Sequence, residues 1–303
     1  MNRFKTFTLL VGGLLLAFTT SCTKETDQQD GEFSPGKKIH KITFDGVCFY
    51  GSGISWEDWH WNGNELSSIE HYYYHDSYNI GKENLEFKYN GRRVSRIDCF
   101  DEDRPNVLSN QSVFEYEEDR IKLITRDIRS LNYTDTIFHN AKWDFTYRDE
   151  NLSQVVLTVT IDYLNNTLNV HHNTVYNLTW DGDNLTQVEV RDSSTRSEVL
   201  LFEYDTKNNP CYGHYDLWVK QCICGGITLG TDYGTHLIFD RGFIGPTISK
   251  NNCTKITWKI NKQGQEVYNE VCNIGYLYDE DGYPTKATIT HNSNSYNLYY
   301  EYE

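Results

Sequence analysis

The sequence predicts an all-β protein: a large antiparallel up-and-down meander of repeated hairpins, curled into a half-barrel or open barrel. Three observations carry this. Five segments align without gaps: WHWNGNELSSI from Trp59, FKYNGRRVSRI from Phe87, FEYEEDRIKLI from Phe114, FTYRDENLSQV from Phe145 and LTWDGDNLTQV from Leu178. Aromatics make up 15% of the residues, with 23 Tyr, a composition suited to half-buried strands. No ten-residue stretch after the first twenty carries a helical stripe of apolar residues.

The spacing inside the unit sets its geometry. With the first residue numbered zero, position two is always Tyr or Trp, position seven Leu, Val or Ile, and position ten Val or Ile. Positions zero and two share one face of a strand. Positions seven and ten differ by an odd number, so a regular strand cannot turn both the same way. A five-residue loop over positions three to seven resolves this, with position two opposite eight and zero opposite ten. Phe87 then faces Ile97, Phe145 faces Val155 and Leu178 faces Val188. A shorter, four-residue loop followed by a bulge serves equally well. Gly63, Gly91 and Gly182 supply the positive φ such turns need. The unit starts lie 28, 27, 31 and 33 residues apart, enough for one hairpin each, and so many strands in one sheet must twist and curl. Partial copies begin at Phe202 and Tyr276, and the rhythm breaks in an irregular Cys- and Gly-rich insertion at 205–253.

Ahead of the repeats, residues 1–21 form a secretory signal: basic MNRFK, an apolar run from Phe7 to Phe18, then small residues. The following Cys22 is the candidate lipid attachment site, and residues 22–38 read as a lipidated N-terminus with a flexible tether. Residues 39–303 make up the β domain. Without residues 1–21, which hold Arg3 and Lys5 and no acid, 26 basic side chains face 43 acidic ones. A chain this acidic repels nucleic acid and anionic membrane, so contact with a membrane is expected only through the lipid. Outside the cytoplasm Cys48, Cys99, Cys211, Cys222, Cys224, Cys253 and Cys272 are disulfide candidates whose connectivity the sequence leaves open.

With the repeats and the insertion in view, a resemblance becomes specific. The units look like tyrosine–aspartate (YD, RHS-like) repeats. The ordered set NNPCYG from Asn208, ISKNNCTKITW from Ile248 and YDEDGYPTK from Tyr278 resembles a family of uncharacterised Gram-negative lipoproteins in which such a β domain follows a lipobox. The resemblance covers roughly residues 40–303. It implies fold and an outer-membrane, surface-exposed location, with the periplasmic face as the alternative, and implies no activity.

No residue pattern fixes a reaction. The acidic turns at Asp181 and Asp279 lack ligands at alternate positions, and His71 and His75 sit too far apart on a strand to share a metal, so neither metal nor cofactor is expected. The aromatics Trp56, Trp59, Trp61, Tyr72 and Tyr74 are the candidate ligand-binding residues, because flat rings left facing solvent stack on sugars or on a protein. The expected function is non-enzymatic binding of a glycan or envelope protein. The alternatives are a polysaccharide hydrolase with its site in 205–253 and a purely structural envelope component.

Overall fold

The computed structural model describes residues 36–48, 51–74, 80–101, 108–131, 136–163, 166–192, 196–212, 249–291 and 294–303. These residues form sixteen strands. The first eight are β1 (Ile39–Cys48), β2 (Gly51–Asn62), β3 (Glu65–Tyr74), β4 (Ile80–Asn90), β5 (Arg93–Asp101), β6 (Leu108–Glu117), β7 (Arg120–Leu131) and β8 (Thr136–Arg148). The rest are β9 (Asn151–Tyr163), β10 (Asn166–Asp181), β11 (Asn184–Asp192), β12 (Arg196–Asn208), β13 (Asn251–Lys262), β14 (Gln265–Tyr278), β15 (Pro284–His291) and β16 (Asn294–Tyr302). Each pairs antiparallel with its sequence neighbours, so the meander is as expected. The half-barrel or open barrel is not what forms. β1 pairs with β16, Ile42 opposite Tyr300 and Phe44 opposite Leu298, and the sheet closes completely. Closure leaves no unpaired edge, which is the most complete way for a long sheet to avoid pairing with other chains.

The hairpins correct the expected loop. Position zero does face position ten: Phe87 opposite Ile97, Phe145 opposite Val155, Leu178 opposite Val188. Position two, however, pairs with seven rather than eight, as in Tyr89 with Val94 and Tyr147 with Leu152. Only two residues form the turn, and position eight is the extra residue of a bulge immediately after it. The usual Ser or Thr there has a chemical reason. Its hydroxyl donates to the carbonyl of position one: Ser67 to His60 at 2.8 Å, Ser95 to Lys88 at 3.0 Å, Ser153 to Thr146 at 2.9 Å and Thr186 to Thr179 at 3.1 Å. The bulge thus gains a hydrogen bond that a regular ladder would not offer. Position four takes φ near +60° whether it is Gly91 (65°), Glu118 (55°) or Asp149 (57°).

The choice of Tyr or Trp at position two also has a cause. Each such side chain donates across to a backbone carbonyl at or near position seven of the preceding strand. Trp61 Nε1 bonds Ile39 O at 2.7 Å, Tyr89 bonds Leu66 O at 2.9 Å, Tyr116 bonds Val94 O at 2.8 Å and Tyr147 bonds Ile121 O at 3.1 Å. Trp180 Nε1 bonds Leu152 O at 2.7 Å, Tyr204 bonds Leu185 O, and Tyr302 bonds Pro284 O at 2.8 Å. Phe would fill the same space but leave the carbonyl without this donor. These rungs circle the end of the barrel where the repeat turns lie, here called the turn end.

The two faces of the wall differ in polarity. Inward residues such as Ile42, Ile69, Ile124, Val155, Leu185, Val188 and Trp258 are 0% exposed and join one apolar core. Outward residues alternate with them and include many polar ones: Lys82, Asn84, Glu86 and Lys88 on β4, Lys142, Asp144 and Thr146 on β8, Lys255, Thr257 and Lys259 on β13, interspersed with apolar Leu123, Val156, Val175, Val199 and Leu201. A round sixteen-strand cylinder leaves room for an aqueous channel. Side chains that water does not reach show that, at this level, the interior is filled instead.

Candidate functional site

Three places bring chemistry-bearing residues together. The first is the root of the insertion at the turn end. β12 runs on to Asn208 and β13 resumes at Asn251, so within the expected irregular stretch 205–253 both flanks are ordered, while residues 213–248 lie outside the described residues. The motif residues that carried the family resemblance meet here. Asn184 and Asn251 exchange bonds: Asn184 Nδ2 donates to Asn251 Oδ1 at 3.0 Å, and Asn251 N donates to Asn184 Oδ1 at 3.1 Å. Asn252 Nδ2 donates to Asn208 O at 2.9 Å and Asn209 Nδ2 to Ser249 O at 2.7 Å. The Ser249 hydroxyl donates to the Tyr204 oxygen at 2.9 Å and accepts from Leu185 N at 3.0 Å. Asp205 accepts from Lys207 N, Asn252 N and the Tyr278 hydroxyl. Burial comes first among the effects that push the Tyr278 phenol above its usual range, and the Asp205 carboxylate adds to it. The motifs therefore staple the two roots of the insertion to the barrel rim, and their polar groups bond one another.

The second place is a polar belt inside the wall. On neighbouring strands Glu57 sits opposite His71, and His71 opposite Glu83, with His71 Nδ1 4.0 Å from Glu83 Oε2. Trp59 Nε1 donates to Glu57 Oε2 at 3.1 Å. Burial pulls the Arg126 guanidinium down from its usual range, against the opposing pull of nearby Cys99 and Glu83. Across the sequence, Trp258 Nε1 donates to Glu198 Oε2 at 3.0 Å, while Glu270 binds both the Tyr268 hydroxyl and His291 Nε2. Cys272 stands opposite His291 on the same inner face. Cys, His and Glu are the residue types of a nucleophile, a base and its orienter. Here, however, Cys272 is 1% exposed and burial pushes its thiol up to about 12, so it holds its proton at neutral pH and no substrate reaches it. The belt is interior polar packing, with Glu57, Glu198 and Glu270 each bound to a donor.

The third place is the aromatic set expected to bind a ligand, and the structure divides it. Trp59 is buried in the core (1% exposed), and Trp61 turns inward to its rung. Substitution at Trp59 therefore reports on folding. Trp56 and Tyr72 face outward and stack, centroids 4.6 Å apart and planes 11° from parallel. Lys41 Nζ lies 5.6 Å from the Trp56 ring and Lys82 Nζ 5.0 Å from the Tyr72 ring. The result is a row of cation, two rings and cation across β1 to β4. Trp56 Nε1 donates to Asp58 Oδ2 at 3.2 Å and Tyr72 donates to Glu70 Oε2 at 2.8 Å, while Lys82 pairs with Glu70 at 2.9 Å. Burial raises the Glu70 carboxyl, but the hydrogen bonds from Lys82 and Tyr72 together outweigh it and hold the group below its ordinary value. The Tyr74 side chain lies outside the described residues.

The expected disulfides are corrected in part. Among the described residues no disulfide forms: Cys211, Cys253 and Cys272 are buried free thiols, and Cys99 is buried in no disulfide. Cys253 and Cys272 point into the apolar core, where a thiol packs as a small hydrophobe. The Cys48 side chain, Cys222 and Cys224 lie outside the described residues, as does Cys22. Among the described residues no three His, Cys, Asp or Glu side chains gather as a metal site.

Wall and rim together define a closed sixteen-strand antiparallel β-barrel whose interior is largely apolar and carries a polar belt. A solved structure shares this fold. A porin-like protein from Bacteroides vulgatus superposes with a TM-score of 0.52 at 10% identity, over 88% of this chain and 99% of that one. A porin-like protein from Bacteroides uniformis gives 0.48 at 10% identity, over 88% and 98%. The likeness at this identity is one of fold. No family model matches the chain, and no curated protein matches it.

Proposed function

We propose that the chain is an outer-membrane lipoprotein of the YD/RHS-like kind, acylated at Cys22. Its barrel stands in water beside the bilayer and binds an envelope glycan or protein without chemistry. The observation that supports this is the polarity of the wall. A barrel that crosses a membrane carries an outward apolar band about 25 Å tall and a polar interior. This barrel's interior is largely apolar and its outward face carries many charges; the large apolar residues most exposed on it are Val113 on β6, Val267, Val271 and Leu277 on β14, and Tyr299 on β16. Charged outward side chains such as Lys142 and Asp144 at mid-membrane cost roughly 2–4 kcal/mol each for the basic ones. The outward row Lys41–Trp56–Tyr72–Lys82 is the surface on which a glycan or protein is expected to seat, through ring edges and the flanking Asp58 and Glu70.

Residues 31–303, made without signal and cysteine, test the reading. They are expected to be monodisperse in buffer without detergent, and the full chain to fractionate with outer membrane until Cys22→Ser releases it. Glycan arrays and pull-downs with the soluble form should find a ligand that Trp56→Ala loses. A barrel that needs detergent or conducts ions in planar bilayers would overturn the proposal.

One observation favours a second reading, a purely structural component: the Trp56 ring is already occupied by partners of the barrel itself, stacked by Tyr72 and with the Lys41 ammonium over it. Failure of every ligand screen with a soluble, anchored barrel would select it. The hydrolase alternative draws no support from the interior carboxylates, since Glu57, Glu198 and Glu270 are committed to Trp59, Trp258 and Tyr268 with His291.

A further inference from the structure

Every ladder of the wall but one joins sequence neighbours. The exception joins β1 to β16, the two ends of the described chain. Parting them and bringing them back costs the closure entropy of a very long loop, so this seam is where the wall opens most easily. Residues 36–38 cross the seam at the turn end. Lys38 extends the ladder by one step, its carbonyl accepting from Glu303 N at 3.0 Å, and its Nζ donates to Gly63 O at 2.6 Å in the β2–β3 turn. Lys37 reaches the other way, past β16 to the β14–β15 turn. There its Nζ bridges Asp279 Oδ2 at 2.8 Å and Asp281 Oδ2 at 2.6 Å, and lies 5.9 Å from the Tyr283 ring. Gly36 lies against the Tyr283 hydroxyl so closely that any side chain there would collide with it. The receiving turn is itself fixed, Asp279 Oδ1 accepting from Asp281 N at 3.0 Å and Tyr283 N at 2.9 Å. Tyr283 stands edge-on to Tyr302 of β16, ring centroids 5.9 Å apart. The hydrogen bond from Lys37 leads the causes that hold the Asp279 carboxyl below its usual range, so the contact is charged at neutral pH.

We infer that Gly36–Lys38 is a strap that locks the β1–β16 seam. It goes beyond the proposed function and does not depend on acylation of Cys22. To leave β16, the first strand must also move away from β14 and β15. Lys37 then has to quit both carboxylates, and Gly36 its place beside Tyr283, in the same event that breaks the ladder. Lys38 keeps the strap aligned with the β2–β3 turn on the near side of the seam, so the two lysines hold hairpins on either side of it. One exposed ion pair would add little. Here one half-buried ammonium serves two carboxylates beside a close-fitting glycine, at the place where the wall parts first. The sequence requirement is narrow: residue 36 has room for no side chain, and residue 37 must be a long cation. With the strap off, β1 and β16 would present rows of N–H and C=O groups to which a second copy of the chain could pair, and the strap guards against that exchange.

Hydrogen exchange of the full chain, read by mass spectrometry, tests this. Peptides covering Ile39–Phe44 and Leu298–Tyr302 report on the seam, and peptides covering Trp143–Arg148 and Leu152–Leu157 report on the β8–β9 ladder across the barrel from it. Lys37→Met keeps a long stem without the charge, and Gly36→Ala has no room beside Tyr283. Each is expected to speed exchange in the seam peptides several-fold and to leave β8–β9 as in the parent. Tyr283→Phe removes the hydroxyl that Gly36 lies against, so the Gly36→Ala/Tyr283→Phe pair should return the seam towards the parent rate. Unchanged seam exchange in both single variants overturns the inference, because residues 36–38 would then fasten nothing. Acceleration of equal size in β8–β9 overturns it as well, because the loss would then be one of global stability.

Discussion

Tyr147→Phe asks whether the rungs at the turn end hold the barrel. The phenol donates to Ile121 O at 3.1 Å, and burial pushes its pKa well up, against the pull of Arg120, so it remains a neutral donor. Phe keeps the ring and its packing under Arg120, whose guanidinium carbon lies 5.4 Å from the centroid. What is lost is one hydrogen bond, about 1 kcal/mol net, plus part of the penalty of about 1–3 kcal/mol for leaving a half-buried carbonyl unsatisfied. A destabilisation of about 1–2 kcal/mol follows, or a fall in Tm of roughly 2–6 °C for a domain of this size. Urea unfolding of residues 31–303, followed by tryptophan fluorescence and far-ultraviolet circular dichroism, measures it. Tyr299→Phe is the control, because that ring lies outside the wall, 38% exposed under Lys286. Tyr302→Phe removes a rung on β16, with its 2.8 Å bond to Pro284 O, eight strands away. The double variant should be additive to within about 0.5 kcal/mol. If Tyr147→Phe lies within about 0.3 kcal/mol of the parent, or costs no more than Tyr299→Phe, the rungs are ornaments of composition and the reasoning fails.

Four further outcomes are expected. Glu118→Gly should stabilise by about 0.5–1 kcal/mol, because position four holds φ at 55° and only glycine adopts that region without strain; a loss in the same urea assay would contradict this. Trp258→Phe should cost about 2–3 kcal/mol or more, since the buried Glu198 carboxylate loses its 3.0 Å indole donor. The Cys253 and Cys272 thiols, pushed upward by burial, should resist maleimide in buffer and react once urea unfolds the barrel; rapid native labelling by mass spectrometry would show otherwise. Glu70 has its folded-state pKa lowered, so its pairing with Lys82 and Tyr72 stabilises above the unfolded value near 4.3 and is lost as pH falls through the folded value. The stability gap between the parent and Glu70→Gln should accordingly be open at pH 6 and narrow as the pH falls below the unfolded value.

The meander was legible in the sequence because its information is local. Each pair such as Phe87 with Ile97 is ten residues apart, and a fixed spacing repeated five times exposes it. The bulge was not legible from spacing alone, since a five-residue loop and a short turn with one extra residue satisfy the same pattern. The Ser or Thr at position eight was the clue, visible only once its carbonyl acceptor is known. Closure was hidden for another reason: Ile42 meets Tyr300 across nearly the whole chain, and no periodicity reports on a single distant pairing. The turn at Gln263–Gly264 went unnoticed because it lies at the end of the barrel opposite the repeat turns, outside their rhythm. For the candidate site, strand parity separates Trp56 and Tyr72 from Trp59 and Trp61, but which parity faces water depends on the side that packs. The motifs NNPCYG, ISKNNCTKITW and YDEDGYPTK were recognisable as a set. Their shared purpose, stapling the roots of the insertion, needed their convergence in space.

That the first strand finds its partner in the last has a bearing on biogenesis. A chain made from its N-terminus completes β1 long before Asn294–Tyr302 has been delivered. Until then β1 and the newest strand both present open edges, and the ladder cannot lock. Such delayed, long-range closure slows folding and leaves the incomplete chain exposed to misassembly. Loss of the final nine residues would remove a sixteenth of the wall and leave the molecule permanently unsealed, with two sticky borders. Such a truncation should accumulate as aggregate or be degraded, and should not yield a slightly smaller barrel.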